Sequence, residues 1–245
     1  MLAAVVVRGD QQPTEMPGVA SVKEAAAAGH RGHASALLLT GFFIGNALIG
    51  LYDEAVYQHV YAHGKALGLS GPKAVSVISA VSLTYIIGGV GGGILSDLIG
   101  RRRILVMAAL GAAASLLLLA TSSPAALWLW AGAFGLALGM STAVRSAAWA
   151  DAFAGPQLGR NVGIVTPGYS VGAAIATYGG ASWLETGGSF QALYTAAAGA
   201  AFLWAILGAM LTRSGPLPQG VPHVVRSVAY PPHAQKISTA QQPEL

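Results

Sequence analysis

The sequence has no cysteine and few charged residues. Without cysteine the chain forms no disulfide, and its redox compartment cannot be inferred. Charged residues make up 9% of the 245 residues, whereas an ordinary soluble domain carries about 25%. A soluble fold of this length would need far more polar surface to cover it. The 13 Lys and Arg residues are dispersed, so the net charge of +4 does not indicate a nucleic-acid partner.

Hydrophobic residues account for 54% of the chain. They fall into six apolar stretches of roughly 20 residues, the length that crosses a bilayer as a helix. Each crossing is expected to be helical, because lipid offers no partner for a free peptide group. We therefore expect an all-α integral membrane protein surrounded by membrane lipids. The six predicted spans are residues 34–58, 74–95, 104–121, 125–147, 162–184 and 190–211.

These spans divide the chain into a predicted six-helix bundle, residues 34–211, and two terminal segments, 1–33 and 212–245. The second terminal segment is expected to be a disordered tail. Cytoplasmic loops carry an excess of Lys and Arg. If the spans alternate in direction, Lys65 and Lys73 lie on one side and every other Lys and Arg lies on the opposite side. We therefore expect both termini on the cytoplasmic side of the cell (inner) membrane.

A charged loop separates the second and third spans. It reads Gly-Ile-Leu-Ser-Asp-Leu-Ile-Gly-Arg-Arg-Arg, and we call residues 93–103 the signature loop. Such charges are costly beside hydrocarbon, so the loop is expected to be a cytoplasmic hinge. A simpler interpretation is that its arginines only fix the orientation. The candidate gating residues are Gly93, Asp97, Gly100, Arg101, Arg102 and Arg103.

Span one carries a polar face. Its members recur at i, i+4, i+7 and i+11, a spacing that puts them on one side of a helix: Asn46, Gly50, Asp53 and Tyr57. Inserting an ionisable residue within a span costs roughly 2.5–3.5 kcal/mol, so Asp53 is a candidate for proton coupling or substrate contact. The alternative is that Asp53 is solvated at the membrane interface. Glu54 points about 100° away on the helix and is the weaker candidate.

Two later spans add polar residues. Tyr85 lies on the polar face of span two, and Tyr169 offers a hydroxyl in span five. Arg145 is the only basic residue near a span interior, and it lies toward the predicted cytoplasmic end. It either supplies a cation for substrate or gating, or anchors the interface by extending its side chain to water. The complete set of substrate or proton candidates is Asn46, Asp53, Tyr57, Tyr85, Arg145 and Tyr169.

Span five also carries residues that affect helix packing. Pro167 removes one backbone donor and predicts a kink. Gly168 and Gly172 form a Gly-x-x-x-Gly step that predicts close contact with another helix.

The signature loop resembles that of the major facilitator superfamily of secondary transporters, Gly-x-x-x-Asp-x-x-Gly-Arg-Arg. Three further segments, in the same order, resemble the C-terminal half of its monocarboxylate and oxalate/formate branch. The resemblance covers about residues 34–213. The three segments are residues 57–70, 153–163 and 184–190.

The resemblance implies half of a twelve-helix fold, with six helices arranged as a 3+3 inverted repeat. Residues 1–33 would then correspond to the end of the central cytoplasmic loop. The implied partner is a second six-helix half, either another copy or a separate chain. The implied function is secondary active transport of a small solute, an organic anion in that branch, by alternating access. Asp97 would help to lock the cytoplasmic gate against the other half. We expect no catalysis, cofactor, metal site or nucleic-acid partner.

The chain departs from that branch at the position of its substrate-binding arginine, which is Gly89 here. Span five also lacks the lysine that oxalate/formate members use in the matching helix. An alternative function therefore stays open, in which the chain is a truncated fragment or a regulatory membrane protein without transport activity of its own.

Overall fold

The computed structural model of this chain describes residues 36–153 and 156–212. The predicted N-terminal segment and nearly all of the predicted tail lie outside those residues. Within them the chain forms eight helices and no strand. The helices are α1 (Ala36–Tyr57), α2 (Val60–Ala66), α3 (Gly71–Ile99), α4 (Arg101–Leu119), α5 (Pro124–Ala152), α6 (Leu158–Val165), α7 (Pro167–Glu185) and α8 (Phe190–Leu211).

Within the described residues, five helical stretches are long and apolar enough to cross a membrane, one fewer than the six predicted. They are Ala36–Ala66, which combines α1 and α2, then Gly71–Ile99, Arg101–Leu119, Pro124–Ala152 and Phe190–Leu211. The remaining predicted span is divided between α6 and α7 and is not among the five. Its many Gly, Ser and Tyr residues lower its mean hydropathy. The sixth crossing therefore stays a prediction.

Local sequence signals determine where several helices begin. Proline occupies the first turn of α3, α5 and α7, where its missing N–H leaves no hydrogen bond unmade. Ser123 and Ser189 cap α5 and α8, their hydroxyls accepting hydrogen bonds from the N–H groups of Ala126 and Ala192 at 3.1 and 3.2 Å. The interruption predicted at Pro167 is present, since α6 ends at Val165 and α7 begins at Pro167.

Two helix pairs pack backbone to backbone through glycine, α3 against α5 and α1 against α7. A Cβ on Gly88 of α3 would overlap the backbone of Leu136 in α5. A Cβ on Gly172 of α7 would overlap the carbonyl of Ala47 in α1, and Gly168 makes a similar contact one turn earlier. The predicted Gly-x-x-x-Gly packing is therefore confirmed. We call these the two glycine-packed pairs.

The remaining helices join these pairs. Helix α4 packs against α5 and α8, and α8 packs against α1. Large aromatic side chains fill the core between them and are fully buried: Tyr52, Trp130, Phe134, Tyr194 and Trp204. Helix α3 is the least buried of the five membrane-length stretches. Apolar residues along it are exposed, among them Leu83, Ile86, Ile87, Val90 and Ile94.

Candidate functional site

A cavity of about 450 Å³ lies between the two glycine-packed pairs. Four of the six predicted substrate or proton candidates line it together, from α1, α3 and α7. Their placement in one cavity is a structural finding, while their roles stay predictions. The lining residues are Asp53, Glu54, Tyr57, Ser82, Tyr85, Ile86, Leu138 and Tyr169.

The Tyr169 hydroxyl lies between the two carboxylates of this cavity. It donates to Asp53 Oδ2 at 2.7 Å and lies 3.1 Å from Glu54 Oε1. The glycine contact between α1 and α7 makes this reach possible, because a Cβ on Gly50 would overlap the Tyr169 carbonyl. A tyrosine hydroxyl has one proton to donate, so it cannot fully satisfy both carboxylates at once.

The two carboxylates differ in how completely they are hydrogen-bonded. Glu54 Oε2 accepts a second hydrogen bond from Gln58 Nε2 at 2.7 Å. Asp53 is only 7% exposed, and its Oδ1 atom is buried with no hydrogen-bond partner among the described residues. Buried polar atoms are almost always hydrogen-bonded to protein or water. Asp53 Oδ1 is therefore the atom of the cavity wall that most needs a partner.

Arg145 lies on α5 close enough to Asp53 to interact with it electrostatically. The two side chains form no ion pair within the described residues, where the only salt bridge joins Arg101 and Asp151. The Arg145 guanidinium lies over the Trp149 ring, 5.4 Å from its centroid, in cation–π geometry. Its Nε atom is buried and has no hydrogen-bond partner in the described part of the chain. Arg145 is thus near the cavity without lining it.

Two residues of α1 differ from their sequence interpretation. Glu54, taken as the weaker candidate, lines the cavity beside Asp53. A helix face more than 100° wide holds neighbours i and i+1 together, and Tyr169 lies opposite both. Asn46 does not line the cavity. Its side-chain amide donates to the Val165 carbonyl at 3.0 Å, where α6 ends, so it fixes the interruption before α7.

The signature loop is shorter than predicted, because α3 continues to Ile99 and α4 begins at Arg101. Gly100 alone turns the chain, with φ +95° and ψ 139°. Only glycine adopts this conformation without steric cost. Arg101 then reaches α5, donating to the Ala147 carbonyl at 3.1 Å and forming an ion pair with Asp151. The sequence pattern did not indicate Asp151 as a partner.

The other candidate gating residues have no comparable contacts. Asp97, Arg102 and Arg103 are exposed and form no ion pair within the part of the chain that the structure describes. A Cβ on Gly93 would meet no atom of the described residues within 4 Å, and the gating role of Gly93 stays a prediction.

Apolar helices of membrane length around a cavity that contains two carboxylates are typical of a multi-pass membrane transport protein. The sequence model of the Major Facilitator Superfamily matches residues 59–238, most of the chain. The chain belongs to the major facilitator superfamily, a family that moves small solutes across membranes and is generally not enzymatic. No curated protein matches the chain at a significant level.

Proposed function

We propose that the chain is one half of a secondary active transporter, with the cavity between the glycine-packed pairs as its solute site. Its mechanism is alternating access, in which two bundles rock around a central cavity. The observation that carries the proposal is the buried, incompletely hydrogen-bonded Asp53 carboxylate, which lines a cavity within the helical bundle. An ionisable residue within a membrane segment is by default a candidate for a functional role, because its burial is costly.

We also propose that the bundle is a 3+3 inverted repeat of six crossings, with α7 as the fifth. The packing supports this proposal. The six proposed crossings are, in order, α1, α3, α4, α5, α7 and α8. Exchanging the first three with the last three replaces α1 by α5, α3 by α7 and α4 by α8, and the reverse. The contact of α3 with α5 then corresponds to that of α7 with α1. The contact of α4 with α5 likewise maps onto that of α8 with α1. Both members of the first correspondence are packed through glycine.

The proposed partner is a second six-helix half, belonging to the monocarboxylate and oxalate/formate branch like this one. Exposed apolar residues on the helices that border the cavity support such a partner. Helix α3 presents Ile86 and Val90, and α7 presents Val171 and Ile175. A second bundle seated there would complete the cavity wall. The partner is either another copy of the chain or a separate polypeptide.

The proposed orientation places the signature loop and both termini in the cytoplasm of a cell whose inner membrane the chain spans. The Arg101–Asp151 pair then lies at the cytoplasmic end of the bundle. Arginine beside membrane ends on that side agrees with the positive-inside bias. In this orientation the signature loop is the cytoplasmic gate, with Asp97 free to contact the other half.

An organic anion is the solute that the resemblance implies. One observation favours it: Arg145 lies half-buried beside the cavity, and its Nε atom has no hydrogen-bond partner among the residues that the structure describes. A guanidinium is the side chain best suited to a carboxylate.

Uptake into proteoliposomes tests transport and proton coupling together. The chain is reconstituted alone and exposed to a cation, an anion and a neutral solute: radiolabelled benzyltrimethylammonium, benzoate and sorbitol. An imposed pH gradient is expected to stimulate uptake of at least one of them above that of protein-free liposomes. Asp53→Asn is expected to remove this stimulation, because asparagine cannot carry the proton.

The matched control is Glu185→Gln, which neutralises an exposed carboxylate at the end of α7. It is expected to leave uptake unchanged. An unaltered pH profile in Asp53→Asn would remove Asp53 from coupling. Absence of uptake, both alone and after co-reconstitution with a second six-helix chain, would instead support a fragment or regulatory protein without transport activity.

A further inference from the structure

We infer that the cavity binds an organic cation, such as a quaternary or protonated amine, in exchange for a proton. This inference rests on the proposed transport function and names its class of solute. It differs from the organic anion that the family resemblance implies.

The charge of the cavity wall is the first argument. Asp53 and Glu54 are its charged residues, and no Lys, Arg or His belongs to the described lining. Arg145 offsets part of this negative charge from α5, outside the lining. An anion in the cavity would face two carboxylates, and no cationic side chain of the described lining would pair with it. A positively charged solute would meet them directly.

The unpartnered oxygen of Asp53 is the second argument. Tyr169 donates a hydrogen bond to Oδ2, and no described residue donates one to Oδ1, although the Asp53 side chain is more than nine-tenths buried. A buried carboxylate is stable only when it is paired or well hydrogen-bonded. Arg145 is close to Asp53 but stacks on Trp149 instead of pairing with it. The Asp53 carboxylate, which lines the cavity, therefore lacks part of the pairing that its burial requires within the described residues.

The tyrosines of the cavity are the third argument. Tyr57, Tyr85 and Tyr169 line it from three helices, α1, α3 and α7. Aromatic ring faces attract ammonium groups and are the usual recognition surface for quaternary amines. The same faces disfavour a carboxylate. Ile86 and Leu138 supply apolar wall for the hydrocarbon part of an amine.

The shared hydroxyl of Tyr169 explains the proton exchange. Two carboxylates that flank one hydroxyl donor cannot both stay ionised without cost in a buried site. In the absence of solute, Asp53 keeps a proton, since it is the more deeply buried of the two carboxylates and its Oδ1 atom has no hydrogen-bond partner among the described residues. When a cation enters, the carboxylic O–H ionises and the proton passes to the aqueous phase, so the net charge of the site is preserved. The titratable and charged groups around Asp53 are Tyr52, Glu54, Tyr57, Tyr85, Arg145 and Tyr169.

Isothermal titration calorimetry on the purified chain in lipid nanodiscs tests the inference. The probes are benzyltrimethylammonium and benzoate, which share a phenyl ring and carry opposite charge. Only the cation is expected to bind, with a heat that depends on the ionisation enthalpy of the buffer because a proton is released. Asp53→Asn should weaken cation binding at least about tenfold, which corresponds to about 1.4 kcal/mol. Glu185→Gln should bind like the unmodified chain.

Two further variants keep the test decisive if Asp53→Asn does not fold by circular dichroism. Tyr169→Phe removes the shared donor and one polar contact, and it should weaken cation binding and change the number of protons released. Arg145→Gln removes the nearby positive charge and should strengthen cation binding.

Three results would overturn the inference. They are benzoate binding that Arg145→Gln abolishes, cation binding without proton release, and a folded chain that binds neither probe. Uptake of benzoate or sorbitol in the proteoliposome assay would then leave transport standing and reject only the cation. Absence of all uptake would instead reject the proposed function.

Discussion

At the scale of single residues, the Arg101–Asp151 pair joins the start of α4 to the end of α5. The two side chains are 38% and 51% exposed. Exposed ion pairs typically contribute about 0–1 kcal/mol to stability, because water screens the charges and both side chains lose freedom. The pair therefore contributes more to the relative position of the two helix ends than to the stability of the bundle.

A double-mutant cycle tests this estimate. Arg101→Gln, Asp151→Asn and the double variant are compared by thermal unfolding in detergent. The coupling energy is expected to stay below about 1 kcal/mol. Arg102→Gln is the matched control, since Arg102 is exposed and has no partner in the described part of the chain. A coupling energy of several kcal/mol would show that the pair is desolvated and holds the bundle together.

Sequence periodicity placed some site residues and missed others for physical reasons. Asp53 and Tyr57 were predictable because both follow the same face of a membrane helix. Glu54 was ranked below Asp53, although the cavity face proved wide enough to include both. Asp151 was missed because its partner is 50 residues away and no local pattern connects them.

At the scale of helices, the two glycine-packed pairs determine how close the cavity walls come. A Cβ on Gly172 would overlap the Ala47 carbonyl, while a Cβ on Gly179 of the same helix would meet no described atom within 4 Å. The Gly172 contact is with backbone, so no side-chain rotation can relieve it. Substitution there must separate α7 from α1 and displace the Tyr169 hydroxyl from Asp53.

Gly172→Ala is expected to destabilise the bundle by about 1–3 kcal/mol, the usual cost of overpacking. Gly179→Ala should be neutral or slightly stabilising, since alanine is a better helix former than glycine by about 1 kcal/mol. Thermal unfolding followed by size-exclusion chromatography compares the two variants. Equal melting temperatures would mean that α1 and α7 are not in backbone contact.

Helix boundaries were predictable where the sequence carries a local signal. Pro167 predicted a kink in span five, where α6 ends and α7 begins, and Gly100 lies at the turn after α3. The separation of α1 from α2 near Gln58 and His59 was not predicted, because no proline or glycine marks it. The five membrane-length stretches followed from composition alone, since lipid restricts each crossing to a helix.

At the scale of the whole molecule, alternating access requires a cavity that opens to each side of the membrane in turn. The natural absence of cysteine makes this directly measurable, because any introduced thiol is the only one in the chain. Ser82 is the suitable position, since it is exposed and lines the cavity between the glycine-packed pairs. Lys65→Cys is the control, on the predicted extracellular side.

The most direct measurement is the labelling of Ser82→Cys by a membrane-impermeant methanethiosulfonate, in right-side-out and in inside-out vesicles. We expect Ser82→Cys to react from both sides, at rates that benzyltrimethylammonium changes, and Lys65→Cys to react from one side only. Reaction of Ser82→Cys from a single side, whatever solute or pH gradient is applied, would contradict alternating access through this cavity.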